Sequence, residues 1–230
     1  MAQTHRETDR ILRAAQRRRG QVVRTIELTA MFIIGPLAYF VLFNRPWMLF
    51  PALWLLALTC LFMLLRDRGF RRERLCRAGD IVGDLLRHML PRFVVLAVVI
   101  TVFVWLTRPE MLFNLIRDRP MVWAIIMVGY PIASVYPQEL IWRTFFFRRY
   151  RRVFRGRWTK IAASAAAFGF VHIVFHNWMA VVFTLVGGVL FADTYARTKS
   201  TLATSIEHAL YGCFVFTIGL GRYFYSGAGH

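Results

Sequence analysis

The chain is 230 residues long, 57% hydrophobic and 18% charged, whereas soluble domains carry about 25% charged residues. Lys and Arg outnumber Asp and Glu by 30 to 12, a formal net charge of +18. So apolar a chain is not disordered. Its Arg cluster between long apolar runs rather than among polar neighbours, which excludes a soluble nucleic-acid binder and fits basic loops between membrane spans.

Residues 1–23 are polar, carry six Arg, and read as a basic cytoplasmic arm. Apolar runs follow at about 24–43, 46–65, 93–108, 121–147, 160–175, 178–197 and 201–220. Each approaches the roughly 20 helical residues that cross a hydrocarbon core of about 30 Å. No small-residue cleavage site follows the first run, so it is read as a retained span. The third and fifth runs are short, so a neighbouring turn must lengthen them or the bilayer must thin. Residues 80–90 (DIVGDLLRHML) read equally as a short interfacial helix or a solvated loop. AASAAA at 162–167 and Gly187-Gly188 would let helices approach closely, and Asn177 is placed to cap the sixth span. The expected fold is all-α: a multispan transmembrane bundle of about seven spans. It divides into the arm, spans one to three over 24–120, spans four to seven over 121–220, and a short tail at 221–230.

The three Cys (Cys60, Cys76 and Cys213) form no CxxC pair, so neither a disulfide framework nor a thiolate zinc site is indicated. Only Lys160 and Lys199 among the 30 basic residues are Lys, a coding bias suggesting a GC-rich bacterial genome and hence an inner membrane. With seven spans, connections on the N-terminal side carry 24 basic residues and those on the other side 5, Arg143 lying inside span four. The positive-inside rule then puts the N-terminus in the cytoplasm and the C-terminus outside.

Four acids fall in the spans: Glu27, Glu139, Asp193 and Glu207. A charged side chain at mid-bilayer costs about 2.5–3.5 kcal/mol on insertion scales, so it turns inward and takes a partner. Glu27 is within a turn of the cytoplasmic end and can reach the headgroups. Asp193 precedes Arg197 by four residues, an ordinary helix-face pair. Glu139 and Arg143 share that spacing. His172 and His208, each taken alone, read as satisfied packing residues. Depth joins them. Glu139 lies about 12–15 Å along its helix from Arg148, His172 about 18 Å from Lys160, and His208 about 12–15 Å from Lys199. One carboxylate and two imidazoles thus reach similar depth from three helices. A carboxylate and an imidazole can hold and deprotonate a water, and a second imidazole can donate to an oxyanion. The same trio could ligate a divalent metal such as zinc, though the water chemistry requires no cofactor. His176 and Asn177 fall in the outer loop, away from this depth.

QELIWR at 138–143 resembles the EExxxR motif of the CAAX-protease and bacteriocin-processing family of intramembrane proteases. FGFVH at 168–172 matches its FxxxH motif, and HALYG at 208–212 resembles its HxxxN motif. The three occur in family order over roughly 121–220. Arg143, Phe168, His172 and His208 match. Gln138 stands where the family has its first Glu, which with the FxxxH His activates water. Glu139 matches the second Glu. Gly212 stands where the family has Asn, which with the HxxxN His stabilises the tetrahedral intermediate. Neighbouring helical residues point about 100° apart, so Glu139 replaces Gln138 only through a rotated helix or a different water position. Glu207 is a further carboxylate, equally offset from His208.

The resemblance implies an intramembrane endopeptidase acting on membrane-anchored peptides or protein tails, with Glu139 and His172 as base candidates and His208 as oxyanion donor. A prenylated substrate is not implied in a bacterium. The alternative is a catalytically inactive membrane protein on the same fold that binds a peptide or partner, for which Gln138 and Gly212 argue. A proton or ion pathway is the third reading, and the order of the motifs argues against it. The expected partners are the substrate and the lipid bilayer, not nucleic acid.

Overall fold

The computed structural model describes residues 2–43, 45–79 and 81–224, and among them every regular element is helical. Met1 of the basic arm, Asp80 of the 80–90 stretch and residues 225–230 of the tail lie outside the described residues. Six helices are long and apolar enough to cross a membrane: α1 (Ala14–Leu42), α2 (Trp47–Arg66), α3 (Ile81–Thr107), α4 (Pro120–Arg149), α5 (Arg157–Phe175) and α6 (Trp178–Thr198). The seventh expected span is α7 (Thr201–Thr217), 17 residues long, which rises about 25 Å. The chain therefore builds the expected all-α multispan bundle. Asn177 caps α6, its Oδ1 accepting the Met179 N–H at 2.9 Å. Ser200 caps α7 by accepting from Ala203 at 3.1 Å.

Residues 81–90 form neither a separate interfacial helix nor a loop; they are the first turns of α3. The helix crosses Pro91 because a wide π-helical turn, Leu85–Met89, ends two residues before it. The same device recurs. Ala30–Ile34 ends two residues before Pro36, and Pro131–Val135 two residues before Pro137. Proline lacks an N–H and its ring clashes with the carbonyl one turn back. Widening the preceding turn shifts that carbonyl aside and keeps the helix continuous.

The surface is inverted relative to a soluble protein. Leu55, Phe62, Val95, Phe103, Val128 and Ile132 are exposed, while Glu139, Arg143, Thr144, Ser164, Thr204 and Glu207 are buried. With lipid outside, apolar side chains gain nothing by turning inward, and polar ones must. The apolar core runs through α1, α2, α4, α5 and α6 around Phe32, Cys60, Ile141, Phe146, Phe168 and Phe191.

The basic segments collect at one end of the bundle. Glu27 is not left reaching for headgroups: Arg149 grips it through Nε and Nη2, at 2.8 and 2.5 Å. Asp67 receives Arg148 through two nitrogens at 2.8 Å, and these hydrogen bonds pull its carboxyl down to about 2. Asp193 meets Arg92 and Arg157 besides Arg197. Gln21 donates to the Arg152 carbonyl, and Ser200 to the Arg77 carbonyl.

α5 and α6 approach backbone to backbone. A Cβ on Gly188 would sit 3.0 Å from the Ala165 Cα, and one on Gly169 3.2 Å from the Leu185 Cα. Gly187 faces Phe191 of its own helix instead. Backbone cannot swing away as a side-chain tip can. Gly188→Leu is therefore expected to cost about 1–3 kcal/mol by overpacking, read as a lower melting temperature in detergent. Wild-type melting of that variant would show that α5 and α6 are not held at this distance.

Candidate active site

The polar centre is assembled from α4, α5, α6 and α7. Glu139 lies on α4 just before a second π-helical stretch, Leu140–Phe145, all six residues of which are buried. Its Oε1 lies 2.8 Å from His208 Nδ1 on α7. Its Oε2 lies 3.3 Å from Arg143 Nε, one turn on, and among the described residues it accepts no hydrogen bond. Glu139 and Arg143 are 0% exposed, His208 6% and His172 8%. The i,i+4 spacing read from the sequence is thus a buried ion pair with an imidazole added to it.

Arg143 is braced twice. Its Nη1 donates to Ser164 Oγ on α5 at 3.4 Å, and Ser164 donates in turn to the Trp142 carbonyl at 2.6 Å. Its guanidinium carbon lies 4.5 Å from the Phe168 ring centroid and 5.7 Å from that of Phe191. Aromatic faces attract a cation without supplying charge, which suits a site from which water is excluded.

Phe168 is the hub. The His172 ring centroid lies 4.8 Å from that of Phe168, and the His208 centroid 5.6 Å from it. The two imidazoles are therefore no further apart than those two distances together. α5 tightens at its end into a turn over His172–Phe175. That turn folds His172 back so that Nδ1 lies 2.6 Å from the Phe168 carbonyl. A carbonyl only accepts, so Nδ1 carries the hydrogen and Nε2 keeps a lone pair. His208 is different, since both its nitrogens are engaged. Nδ1–H donates to Glu139, and Nε2 meets the Tyr130 hydroxyl at 3.2 Å. Phe191 stacks on its ring at 4.5 Å.

Glu139, Arg143, Phe168, His172 and His208 are thus brought together. The Gln138 amide instead donates to Ser134 on its own helix at 2.7 Å, and Gly212 borders the Tyr130 phenol that meets His208. Glu207, next to His208, turns to α3, where Arg92 Nη2 donates to it at 2.8 Å. Among the described residues, no three His, Cys, Asp or Glu side chains converge to hold a metal ion. With both His208 nitrogens engaged, the trio of Glu139, His172 and His208 does not fit a metal in this arrangement.

Sequence reasoning missed Tyr130, Ser164 and Phe191. Tyr130 is nine residues before Glu139, which puts the two about 180° apart on a regular α-helix. The π-helical turn Pro131–Val135 lies between them. It underwinds the helix and rotates them toward one face. Pro131 and Pro137 were the available signal.

Removing Arg143 strands a buried carboxylate. Arg143→Met is expected to cost about 3–5 kcal/mol, seen as early thermal unfolding in detergent. Adding Glu139→Gln should recover much of that loss. A double variant no more stable than Arg143→Met would show that the two side chains are not energetically coupled.

Comparisons with curated proteins and with solved structures give no significant match. The family described as Type II CAAX prenyl endopeptidase Rce1-like matches residues 119–214. That segment begins at the head of α4, ends within α7, and contains all three motifs. The resemblance read from QELIWR, FGFVH and HALYG is borne out: residues 119–214 are similar to the Rce1-like CAAX proteases, and they lie on a membrane-spanning helical fold.

Proposed function

We propose that the protein is an intramembrane endopeptidase that hydrolyses membrane-anchored peptides or protein tails. The observation that carries this reading is the convergence of Glu139, Arg143, His172 and His208 around Phe168, within the segment that matches a protease family. His172 Nε2 has a free lone pair and serves as general base. Glu139 Oε2 accepts no hydrogen bond and orients the attacking water. The water oxygen adds to the peptide carbonyl carbon while His172 takes a proton. Negative charge builds on the carbonyl oxygen, and His208, whose Nδ1–H is held by Glu139, has no free N–H to give it, contrary to the donor role expected of it. The C–N bond then breaks, the nitrogen leaves with the proton from His172, and a carboxyl group remains. No step uses a metal, so the rate should be unchanged by chelators.

Gln138 cannot act as base, because a neutral amide does not take a proton from water as a carboxylate does. Glu139→Gln is expected to lower kcat by about 10²–10⁴, and Gln138→Ala to lower it less. The probes are a fluorogenic peptide anchored by farnesyl-cysteine and the same peptide on a transmembrane segment, each with purified, folded variants. Wild-type cleavage that survives Glu139→Gln would reject the assignment. A second reading, a catalytically inactive binder on the same fold, is favoured by the Gln138 amide bonding within its own helix. It predicts cleavage by Gln138→Glu alone.

The basic end of the bundle, where Arg148, Arg149 and Arg152 meet α1 and the segment after α2, is proposed to face the cytoplasm of a bacterial inner membrane, with substrates reaching the site from that side. An odd number of spans then puts the C-terminus outside. Alkaline phosphatase fused after residue 224 should be active in cells, and activity of a cytoplasm-only reporter there would reverse the assignment.

A further inference from the structure

Position 212 has no side chain, and a neighbouring helix fills its space. A Cβ there would collide with the Tyr130 ring edge and hydroxyl. Gly212 follows His208 by one turn of α7, so a side chain at 212 would share the His208 face. Tyr130 reaches that face from α4. Its hydroxyl lies 3.2 Å from His208 Nε2. Its ring is held edge-on to His208 and to Phe216, at centroid distances of 6.1 and 5.3 Å. A polar donor from α4 thus stands where residue 212 offers none.

We propose that the Tyr130 hydroxyl is the hydrogen-bond donor to the carbonyl oxygen of the peptide being cleaved, a place open to it because residue 212 is glycine. The role rests on the peptidase reading above. At rest the O–H donates to His208 Nε2, whose Nδ1–H is anchored on Glu139. A hydroxyl hydrogen rotates freely about its C–O bond. As the water oxygen adds to the carbonyl carbon, negative charge builds on the carbonyl oxygen. That oxygen becomes a stronger acceptor than a neutral imidazole nitrogen, and the O–H turns to it. Tyr130 keeps its proton throughout. The new C–O bond comes from water, the C–N bond breaks, and the departing nitrogen receives the proton that the base took from water. A phenol also stabilises charge while remaining neutral, which avoids placing another ion in the membrane interior.

Wild type, Tyr130→Phe, Gly212→Ala and the double variant Tyr130→Ala/Gly212→Asn are compared on the farnesyl-cysteine and transmembrane-anchored peptides. His208 is followed by nitrogen NMR of histidine-labelled protein. Tyr130→Phe removes one oxygen and keeps the ring, so the fold is spared. It is expected to lower kcat by about 10²–10³ with KM unchanged, and to move the His208 signal. Gly212→Ala, which pushes the phenol off its place, should lower kcat likewise. The double variant clears the ring and returns an amide donor from α7, and should recover part of the rate. Wild-type kcat in Tyr130→Phe overturns the donor role alone, whether or not the His208 signal moves. An unmoved His208 signal overturns the contact on which the role depends. Absence of cleavage by wild type on both peptides overturns the peptidase reading and the donor role with it, a pattern distinct from a fully active Tyr130→Phe.

Discussion

A carboxylate inside a membrane bundle must be neutralised or stabilised by what surrounds it, and Glu139 organises the polar interior on those terms. It is fully buried and touches a guanidinium on one side and an imidazole on the other. Each of those groups needs support of its own. Arg143 takes Ser164 and two aromatic faces, and His208 takes Tyr130 and the face of Phe191. One charge thereby recruits side chains from α4, α5, α6 and α7. Low local dielectric strengthens each link and makes the loss of any partner costly. Such a network defines one arrangement of helices where apolar packing against lipid would tolerate several.

The rotation of α7 shows how this works. Glu207 and His208 are adjacent and so point about 100° apart. Glu207 is gripped by Arg92 from α3, and His208 by Glu139 from α4. Turning α7 either way breaks one contact. Arg92 also reaches Asp193 and Thr194 on α6, so the ion pairs at the basic end fix the helix that carries a central imidazole. The excess of Arg serves this arrangement. Few acids are present, and Asp193 alone meets three guanidiniums.

Much of this was legible in the sequence, for physical reasons. Spans are written as length and hydropathy, and six of them are helices of membrane-crossing length. The polar residues of the centre were legible because ions and imidazoles are costly at mid-depth, so their presence demands a shared partner. Two things were hidden. The 80–90 stretch carries Arg and Asp and reads equally as an interfacial helix or a solvated loop, yet Asp84 lies in the first turns of α3, where it meets Arg197. Hydropathy does not distinguish a solvated charge from one paired across helices. Helix phase was hidden as well. Periodicity arguments assume regular turns, and the π-helical turns preceding Pro36, Pro91 and Pro137 shift every later residue around the axis. Tyr130 fell out of phase with Glu139 for that reason.

The two departures from the family pattern differ in kind. A missing side chain at 212 leaves space, and space beside a buried imidazole can be entered from another helix; the Tyr130 phenol occupies it and brings a donor. A changed side chain at 138 leaves no such opening. Its amide nitrogen donates to Ser134 within the same helix. The adjacent Glu139 is turned about 100° away and is already committed to Arg143 and His208. The donor side of the centre thus has a substitute, whereas its carboxylate side depends on one group that must balance a buried cation, anchor an imidazole and face the water at once. Oε1 meets the imidazole and Oε2 lies beside Arg143. Oε2, which accepts no hydrogen bond among the described residues, is the oxygen with both lone pairs left for a water.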